Sequence, residues 1–499
     1  MAQGTVHMSI SDKALVEKRV AMATKKLTQI GKPFHEHQLE GIKWMMGVEQ
    51  RGTGGLLCDD PGLGKTYQAL ALVVSSLPQT STLIVVPSSI IEQWRQAASE
   101  LVGAKAVYVH HGPKRLTEIP AKRVVISTYT LMTSDPAITR HYWYRVILDE
   151  AHLIKNSQSQ RSKKAKKLNV TYRWGLTGTP VQNNTAELIN IFRFVTGKTG
   201  YVDDHNVSDY INTHLIRRRK ETVLKGKIPE LQVIVSEIGF QTDQEREFYR
   251  KVQNNIRSDF SELMALGGNA RDENVAMFEL LLRLRQASQH PQLVLNGYTK
   301  KFLKDKGGRL TPYGQHSSKH LALIKMLKSE RQEPALVFCH FTEEMNILSS
   351  LVQREGFTTT RFDGKTSTSD RASLINNLTR PEFTPPEVLI VQINAGGVGL
   401  NLQRYARVYL MSADWNPCNE IQAIARAHRL GQTRPVLVKR LVLVDPKQEF
   451  SVIDQRIWDI QTKKRQLMSG LLSEPELQDN GTRKPFNLHR DEYKTLITG

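Results

Sequence analysis

Cysteine is scarce: Cys58, Cys339 and Cys418 are the only three in 499 residues. They are too few and too dispersed for a disulfide framework or a zinc cage, so no zinc and a reducing compartment are expected. Long apolar runs are missing too. No stretch approaches a membrane span, and the opening MAQGTVHMSISDK has no signal-peptide core, so an intracellular chain without a membrane partner is expected. Acidic residues are outnumbered, 49 Asp and Glu against 69 Lys and Arg, for a formal charge of +20. That excess favours a polyanionic partner, nucleic acid before membrane, because no amphipathic basic anchor is present. Fixed-period repeats and low-complexity blocks are also absent.

Hydrophobic residues make up 39% of the chain and include six tryptophans, enough for packed cores, and 499 residues require two or three domains. From about 34 to 235, the short apolar segments TLIVVP, KAVYVH, RVVIST, YRVILDEAH and YRWGLTGTP alternate with helical stretches. That alternation implies a parallel sheet covered on both faces. It returns from 315 to 448 in PALVFCHF, TTTRFDG, EVLIVQINA, ARVYLMSA and VLVKRLVLVD. Residues 236–314 read as charged helices broken at Gly267 and Gly268, then a Lys/Gly-rich linker from Lys300. Residues 1–33 read as an N-terminal extension, and 449–499 as another helix with a polar tail. The expected fold is α/β, two parallel-sheet lobes with a helical insertion between them.

The stretch CDDPGLGKTYQALALVV sets Gly62, Gly64, Lys65 and Thr66 between an apolar strand and an apolar-faced helix. Glycines let the backbone approach an anion, and a helix N-terminus aims N–H donors at it. Lys65 can reach terminal phosphates and the Thr66 hydroxyl can hold Mg2+. Asp59 stands where the strict pattern has glycine, and the bland alternative is an accidental strand-to-helix turn. Asp149 and Glu150 end an apolar strand 84 residues after Lys65, in VILDEAH. A carboxylate there suits Mg2+, and Glu150 can orient or deprotonate an attacking water; a solvated turn is the alternative. GLTGTPVQNN from Gly175 suits phosphate sensing, and QINAGGVGLNL from Gln392 offers a second glycine loop. QAIARAHRLGQ brings Gln422, Arg426 and Arg429 together, with the two arginines three apart on one helical face. Arginines so placed can stabilise charge on a transferring phosphoryl group.

In chain order, HEHQLEGIKWM, DDPGLGKT, LIVVPSSIIEQW, DEAHLIKN, LTGTPVQN, LIRRRKETVL, LRLRQASQHPQL, LVFCHF, AGGVGLNL and WNPCNEIQAIARAHRLGQ resemble one ordered motif set. It is that of the superfamily-two, SWI/SNF-type helicase-like ATPases. The resemblance implies two RecA-like lobes with ATP and Mg2+ between them, a helical protrusion and a brace helix. It also implies double-stranded DNA as partner and translocation along one strand, usually without strand separation. Gln38 would read the adenine edge, with Asp60, Pro61, Gly62, Leu63, Gly64, Lys65, Thr66 and Gln422 completing the nucleotide site. Catalysis would fall to Glu150, Asp149, Lys65, Arg426 and Arg429, with Thr66 and Asp149 on the metal. Ser88, Thr128, Thr177, Gly178, Thr179, Asn183, Gly397, Gly399, Asn401 and Trp415 would touch DNA or couple it to hydrolysis. The motifs look closest to the branch containing helicase-like transcription factor and transcription-termination ATPases, without the zinc RING insert of its repair members. Gln392-Ile393-Asn394 replaces the family's Ser/Thr–Lys, and Ser412 an acidic residue before DWNP.

The leading expectation is a DNA-stimulated ATPase that moves along duplex DNA to remodel protein–DNA complexes or assist transcription or repair. Phosphate contacts carry no base identity, so little sequence specificity and a steep salt dependence are expected. A strand-separating helicase on RNA or DNA and a non-catalytic DNA-binding scaffold remain open. RSKKAKK from Arg161 reads as an exposed helix face near DNA before a nuclear-localisation patch. IRRRK from Ile216 reads as a DNA or inter-lobe contact, and His290 as a packing residue. The short ends leave little room for accessory modules. That suits a nuclear motor recruited to nucleosomes or transcription machinery, or one encoded by a large DNA virus and acting in a viral factory or virion.

Overall fold

The computed structural model describes residues 10–76, 81–113, 115–121, 123–181, 184–197, 201–265, 270–302, 311–380, 382–396 and 401–473. The chain divides after Lys227 into two units, the second running from Ile228 to Leu467. Each is built on one parallel sheet.

The first sheet contains β1 (Gly55–Leu57), β2 (Thr82–Val86), β3 (Val107–Val109), β4 (Val124–Thr128), β5 (Trp143–Asp149), β6 (Val170–Leu176) and β7 (Leu215–Ile216). Their order is β3-β4-β2-β5-β6-β1-β7, every neighbouring pair parallel. Strands such as TLIVV are buried along their whole length, which is why they read as continuous apolar runs rather than alternating ones. Their core side chains, including Leu57, Ile84, Ile126 and Ile147, pack with Met45, Leu70 and Trp94 from the helices Glu36–Gln50, Lys65–Val74 and Ile91–Val102. The helix Ile10–Gln29 adds Val16, Val20, Ala23 and Leu27 to the same core. Burial of a side chain like Leu27 contributes about 2 kcal/mol, so one face of the helix in the stretch expected as an extension belongs to the core. Arg19 of that helix donates to Glu49 at 3.1 Å, and Glu49 also receives Arg145 at 2.6 Å and Trp174 at 3.0 Å. Burial alone would push the Glu49 carboxyl up, but Arg145 and Arg19 outweigh it and hold it below its ordinary value.

The second sheet contains β8 (Leu231–Gly239), β9 (Ala335–Cys339), β10 (Thr359–Phe362), β11 (Val388–Gln392), β12 (Arg407–Leu410) and β13 (Val436–Val444), in the order β10-β11-β9-β12-β13-β8. β8 pairs along its length with β13, so the boundary expected at 235 falls inside a strand of the second sheet. Helices Asp243–Ala265, Ala270–Gln289 and Pro291–Phe302 follow, the last extending past the expected linker start at Lys300. Gly267 and Gly268 lie outside the described residues. The later helix Ile453–Ser473 joins the first two in one apolar cluster, with Ile453 and Ile457 beside Tyr249, Ile256, Leu281 and Leu284. No helix among the described residues is long and apolar enough to cross a membrane.

His290 packs against Tyr313 and His320, with ring centroids 5.8 and 5.2 Å apart, and its Nδ1 accepts the Gln292 N–H at 3.1 Å. Burial holds the His290 imidazole down at about 4, and His320 is also pressed well below its ordinary 6.5. Both are therefore neutral when folded and protonate near 6.5 when unfolded, so their contribution is complete above pH 6.5. For His290 the contribution falls away as pH drops and is gone below about 4, a loss on the order of 3 kcal/mol. Thermal melting of the full chain across that window is expected to show a falling Tm, with a shallower slope in His290→Gln. An unchanged slope in that variant would contradict the assignment.

Candidate functional site

β1 and β5 flank β6, and the register sets Leu57 and Asp149 opposite the same residue, Leu176. Parallel strands deliver the loops after their C-terminal ends to one edge. Three loops therefore lie side by side: Cys58–Gly64 after β1, Glu150–Ile154 after β5 and Thr177–Thr179 after β6.

The first loop turns through left-handed backbone at Gly62 and Gly64, φ 94° and 82°. A Cβ on Gly64 would lie 2.2 Å from Gln38 Nε2, so glycine is required there twice over. Gln38 donates to Leu63 O at 3.2 Å and accepts from His35 N at 3.0 Å, and His37 Nε2 lies 3.1 Å from Leu63 O. Lys65 opens the helix Lys65–Val74, and its Nζ donates to Asp59 O at 2.6 Å and Asp60 O at 3.4 Å. An ammonium held only by carbonyls can exchange onto a phosphate, a stronger partner. Asp60 Oδ2 accepts Lys220 N at 2.9 Å, and buried Asp59 accepts Arg218 Nε at 2.9 Å and Nη2 at 2.5 Å. Within the IRRRK run Arg218 differs from expectation: it turns inward, because a carboxylate without solvent needs a cation.

On the second loop, Asp149 Oδ2 accepts Trp94 Nε1 at 2.7 Å and Oδ1 accepts Glu150 N at 3.0 Å. Burial first, then the Glu150 charge, push the Asp149 carboxyl up to about 6, against the Trp94 hydrogen bond and Lys65. Its remaining lone pairs, with the half-buried Thr66 hydroxyl, fit a Mg2+ ion that takes its other ligands from phosphate and water. Glu150 has left-handed backbone, φ 54° and ψ 52°, uncommon for a residue with a Cβ. Its Oε2 lies 3.2 Å from His152 Nδ1, which is 3.3 Å from Thr177 Oγ1. Thr177 Oγ1 in turn accepts Thr179 N at 3.1 Å. A Cβ on Gly178 would come within 2.9 Å of Pro61, so this third loop touches the first. Trp94, His152 and Arg218 were not among the expected site residues. All three stand inside the quoted motifs, and a ring two residues after Glu150 was the available signal for His152.

Farther along the same edge, Ser88 follows β2 and Thr128 ends the neighbouring β4, and both line a cleft of about 520 Å3 with His111, Arg115 and Arg161. Thr128 also accepts Leu131 N at 3.3 Å, capping the next helix. The helix Gln160–Lys166 buries Ser162 and Ala165 and exposes Arg161, Lys163 and Lys164, a basic face beside that cleft.

In the second unit, Gln422 and Arg426 lie on the helix Pro417–Ala427, but Arg429 does not. His428 leaves helical backbone at φ −92°, ψ 90°, with its Nε2 2.9 Å from Pro229 O, so the expected shared helical face is not formed. Asn401 is exposed, whereas Trp415 packs with the helical cluster, Arg285 lying 5.4 Å from its ring. Asn183, Gly397 and Gly399 lie outside the described residues. Gln392 donates to His340 O and accepts from Gly364 N, both at 3.2 Å, stitching two strand-end loops together. Ser412 Oγ lies 2.6 Å from His340 Nδ1, and His340 Nε2 lies 2.9 Å from Asp414.

Replacing Gly64 by alanine meets both left-handed backbone and Gln38, whereas Gly52, with φ 78° and nothing within 4 Å of its Cβ position, meets backbone strain alone. Gly52→Ala is expected to lose about 1 kcal/mol and Gly64→Ala about 2 or more. Urea unfolding of the two variants measures the difference, and equal losses would remove Gln38 from the packing of the loop.

Residues 37–293 match the SNF2-related domain, and residues 318–431 the Helicase conserved C-terminal domain. The Caenorhabditis elegans chromodomain-helicase-DNA-binding protein 3 homolog is 27% identical over 89% of this chain and 27% of its own length. The Mus musculus SWI/SNF-related matrix-associated actin-dependent regulator of chromatin subfamily A member 1 is 27% identical over 94% of this chain and 46% of its own length. The chain thus spans less than half of these curated relatives. A solved Sulfolobus solfataricus SWI2/SNF2 ATPase core in complex with dsDNA is 23% identical, with TM-score 0.39 over 89% of this chain and 93% of that one. Since the SNF2-related match alone takes in just over half of the 499 residues, the chain belongs to the SNF2-related domain family.

Proposed function

We propose that the chain is an ATP-driven motor on double-stranded DNA that remodels protein–DNA complexes. The observation that supports this most is the shared level of Leu57, Leu176 and Asp149, which brings a glycine-lysine loop, a carboxylate pair and a hydroxyl turn together. The basic cleft at Ser88 and Thr128 lies on the same edge of the same sheet.

In this reading Lys65 leaves Asp59 O and Asp60 O for the terminal phosphates, whose oxygens also meet the N–H groups opening the Lys65–Val74 helix. Gln38 exchanges its bond to Leu63 O for the adenine edge. Thr66 and Asp149 hold Mg2+, which when bound draws negative charge off the phosphates. Glu150 accepts a proton from the attacking water while His152 orients its carboxylate. The cleft hydroxyls, Arg115, Arg161 and the exposed lysines of the next helix grip DNA phosphates without reading bases. Relatives named as a regulator of chromatin, a chromatin-remodeling factor and a chromatin-remodeling complex ATPase support a nuclear remodelling role, with nucleosomes or transcription machinery as the targets proposed here.

ATP hydrolysis measured with duplex DNA, single-stranded DNA and RNA over a salt series tests the proposal. Duplex DNA is expected to stimulate most, and stimulation to fall steeply with salt. Lys65→Ala and Glu150→Gln are expected to lower turnover by a hundredfold or more while DNA binding is retained. Stronger stimulation by single strands or RNA would favour a strand-separating helicase, and DNA binding without turnover a scaffold.

A further inference from the structure

Asp59 is fully buried, and its carboxylate oxygens receive four N–H donors. Arg218 N and Nε donate to Oδ1 at 3.2 and 2.9 Å, and Arg218 Nη2 and Gln68 Nε2 to Oδ2 at 2.5 and 3.1 Å. The same Nη2 reaches Gln68 Oε1 at 2.8 Å, closing a ring of three side chains. The backbone follows suit: Cys58 N donates to Ile216 O at 2.7 Å, Asp60 N to Arg218 O at 3.1 Å, and Lys220 N to Asp60 Oδ2 at 2.9 Å. Residues 216–220 therefore run as a strap along the first half of the glycine-lysine loop. The helix Glu36–Gln50 makes room for it. A Cβ on Gly41 would lie 2.0 Å from Gln68 Oε1 and 2.5 Å from Arg218 Nη2.

What the strap holds matters for Lys65. The two carbonyls that receive its ammonium belong to Asp59 and Asp60, the residues whose side chains the strap fixes. A guanidinium binding a carboxylate through two nitrogens sets orientation as well as distance, which a lysine ammonium cannot do. We propose that Arg218 is a positioning residue for the nucleotide site, holding Asp59 and Gln68 so that the loop and Lys65 are pre-arranged for phosphate. This rests on the ATP reading above.

The test uses the full chain, with steady-state ATP hydrolysis on duplex DNA, binding of a fluorescent ADP analogue and thermal melting. Arg218→Lys keeps the charge and loses the paired geometry, so the KM for ATP and the Kd of the analogue are expected to rise roughly tenfold, with a smaller change in kcat. Gly41→Ala removes no polar group but pushes on the ring from the other side, so a rise of the same kind is expected, together with a lower Tm from the crowding. Unchanged KM and Kd in both variants, with or without a lower Tm, would overturn the proposal while leaving the ATP reading intact. Should Arg218→Lys not fold, Gly41→Ala decides alone. A wild-type chain that binds no nucleotide would overturn both.

Discussion

Parallel pairing of β1, β6 and β5 is the constraint on which the chemistry depends. Side chains alternate across a strand, so a slip of one residue would move Leu57 to the opposite covered face and carry the loop after it off level. The apolar content of these strands therefore positions the loop as surely as the loop's own glycines do. Asp149 closes one such strand and Thr177 follows another, and neither could stay beside the glycine-lysine turn if the register were free. Helices on both faces make that register costly to change, because every residue of β1 and β2 is buried.

Buried ion pairs complete the positioning. Glu49 with Arg145 ties the N-terminal helices to the first sheet, and Asp59 with Arg218 ties the loop to the end of β7. Lys319 meets Asp454 at 2.6 Å in the second unit, where Asp454 also accepts Leu443 N at 3.1 Å and Ser288 Oγ at 2.8 Å. Such pairs add little net stability, since desolvation offsets attraction, but removing one partner leaves a buried charge and typically costs about 3–5 kcal/mol. Their effect is to make alternative placements expensive. Each joins segments distant in sequence, where apolar packing alone would tolerate small slides.

The strands with continuous apolar runs were legible from sequence because covered parallel sheets demand that pattern, and TLIVV and VLIVQ are local statements of it. The strand β8 was not. Its Val233, Ile234 and Val235 are about 40% exposed at a sheet edge, and its place depends on pairing with β13, some 200 residues away. The site divided in the same way. Lys65 opens the helix after a strand, Asp149 and Glu150 stand at a strand's end, and these places could be read from spacing. The inward turn of Arg218 could not, because a run of basic residues looks alike whether solvated or paired. The shared face of Arg426 and Arg429 failed for another reason: spacing of three implies one face only while the helix lasts, and His428 ends it.

The two units use their strand ends differently, and electrostatics explains which one gains by binding a charged ligand. In the second unit, His340 meets Ser412 and Asp414 through its two ring nitrogens, and the Gln392 amide has a backbone partner at each end. Those groups are already satisfied by neighbours. In the first unit, a carboxyl is pushed up to about 6, a glutamate sits in left-handed backbone and an ammonium rests on carbonyls. Each is held away from its preferred state by burial and packing, and each would be relieved by a phosphate arriving with a divalent cation. On the function proposed above, binding at that edge would exchange these contacts for stronger ionic ones.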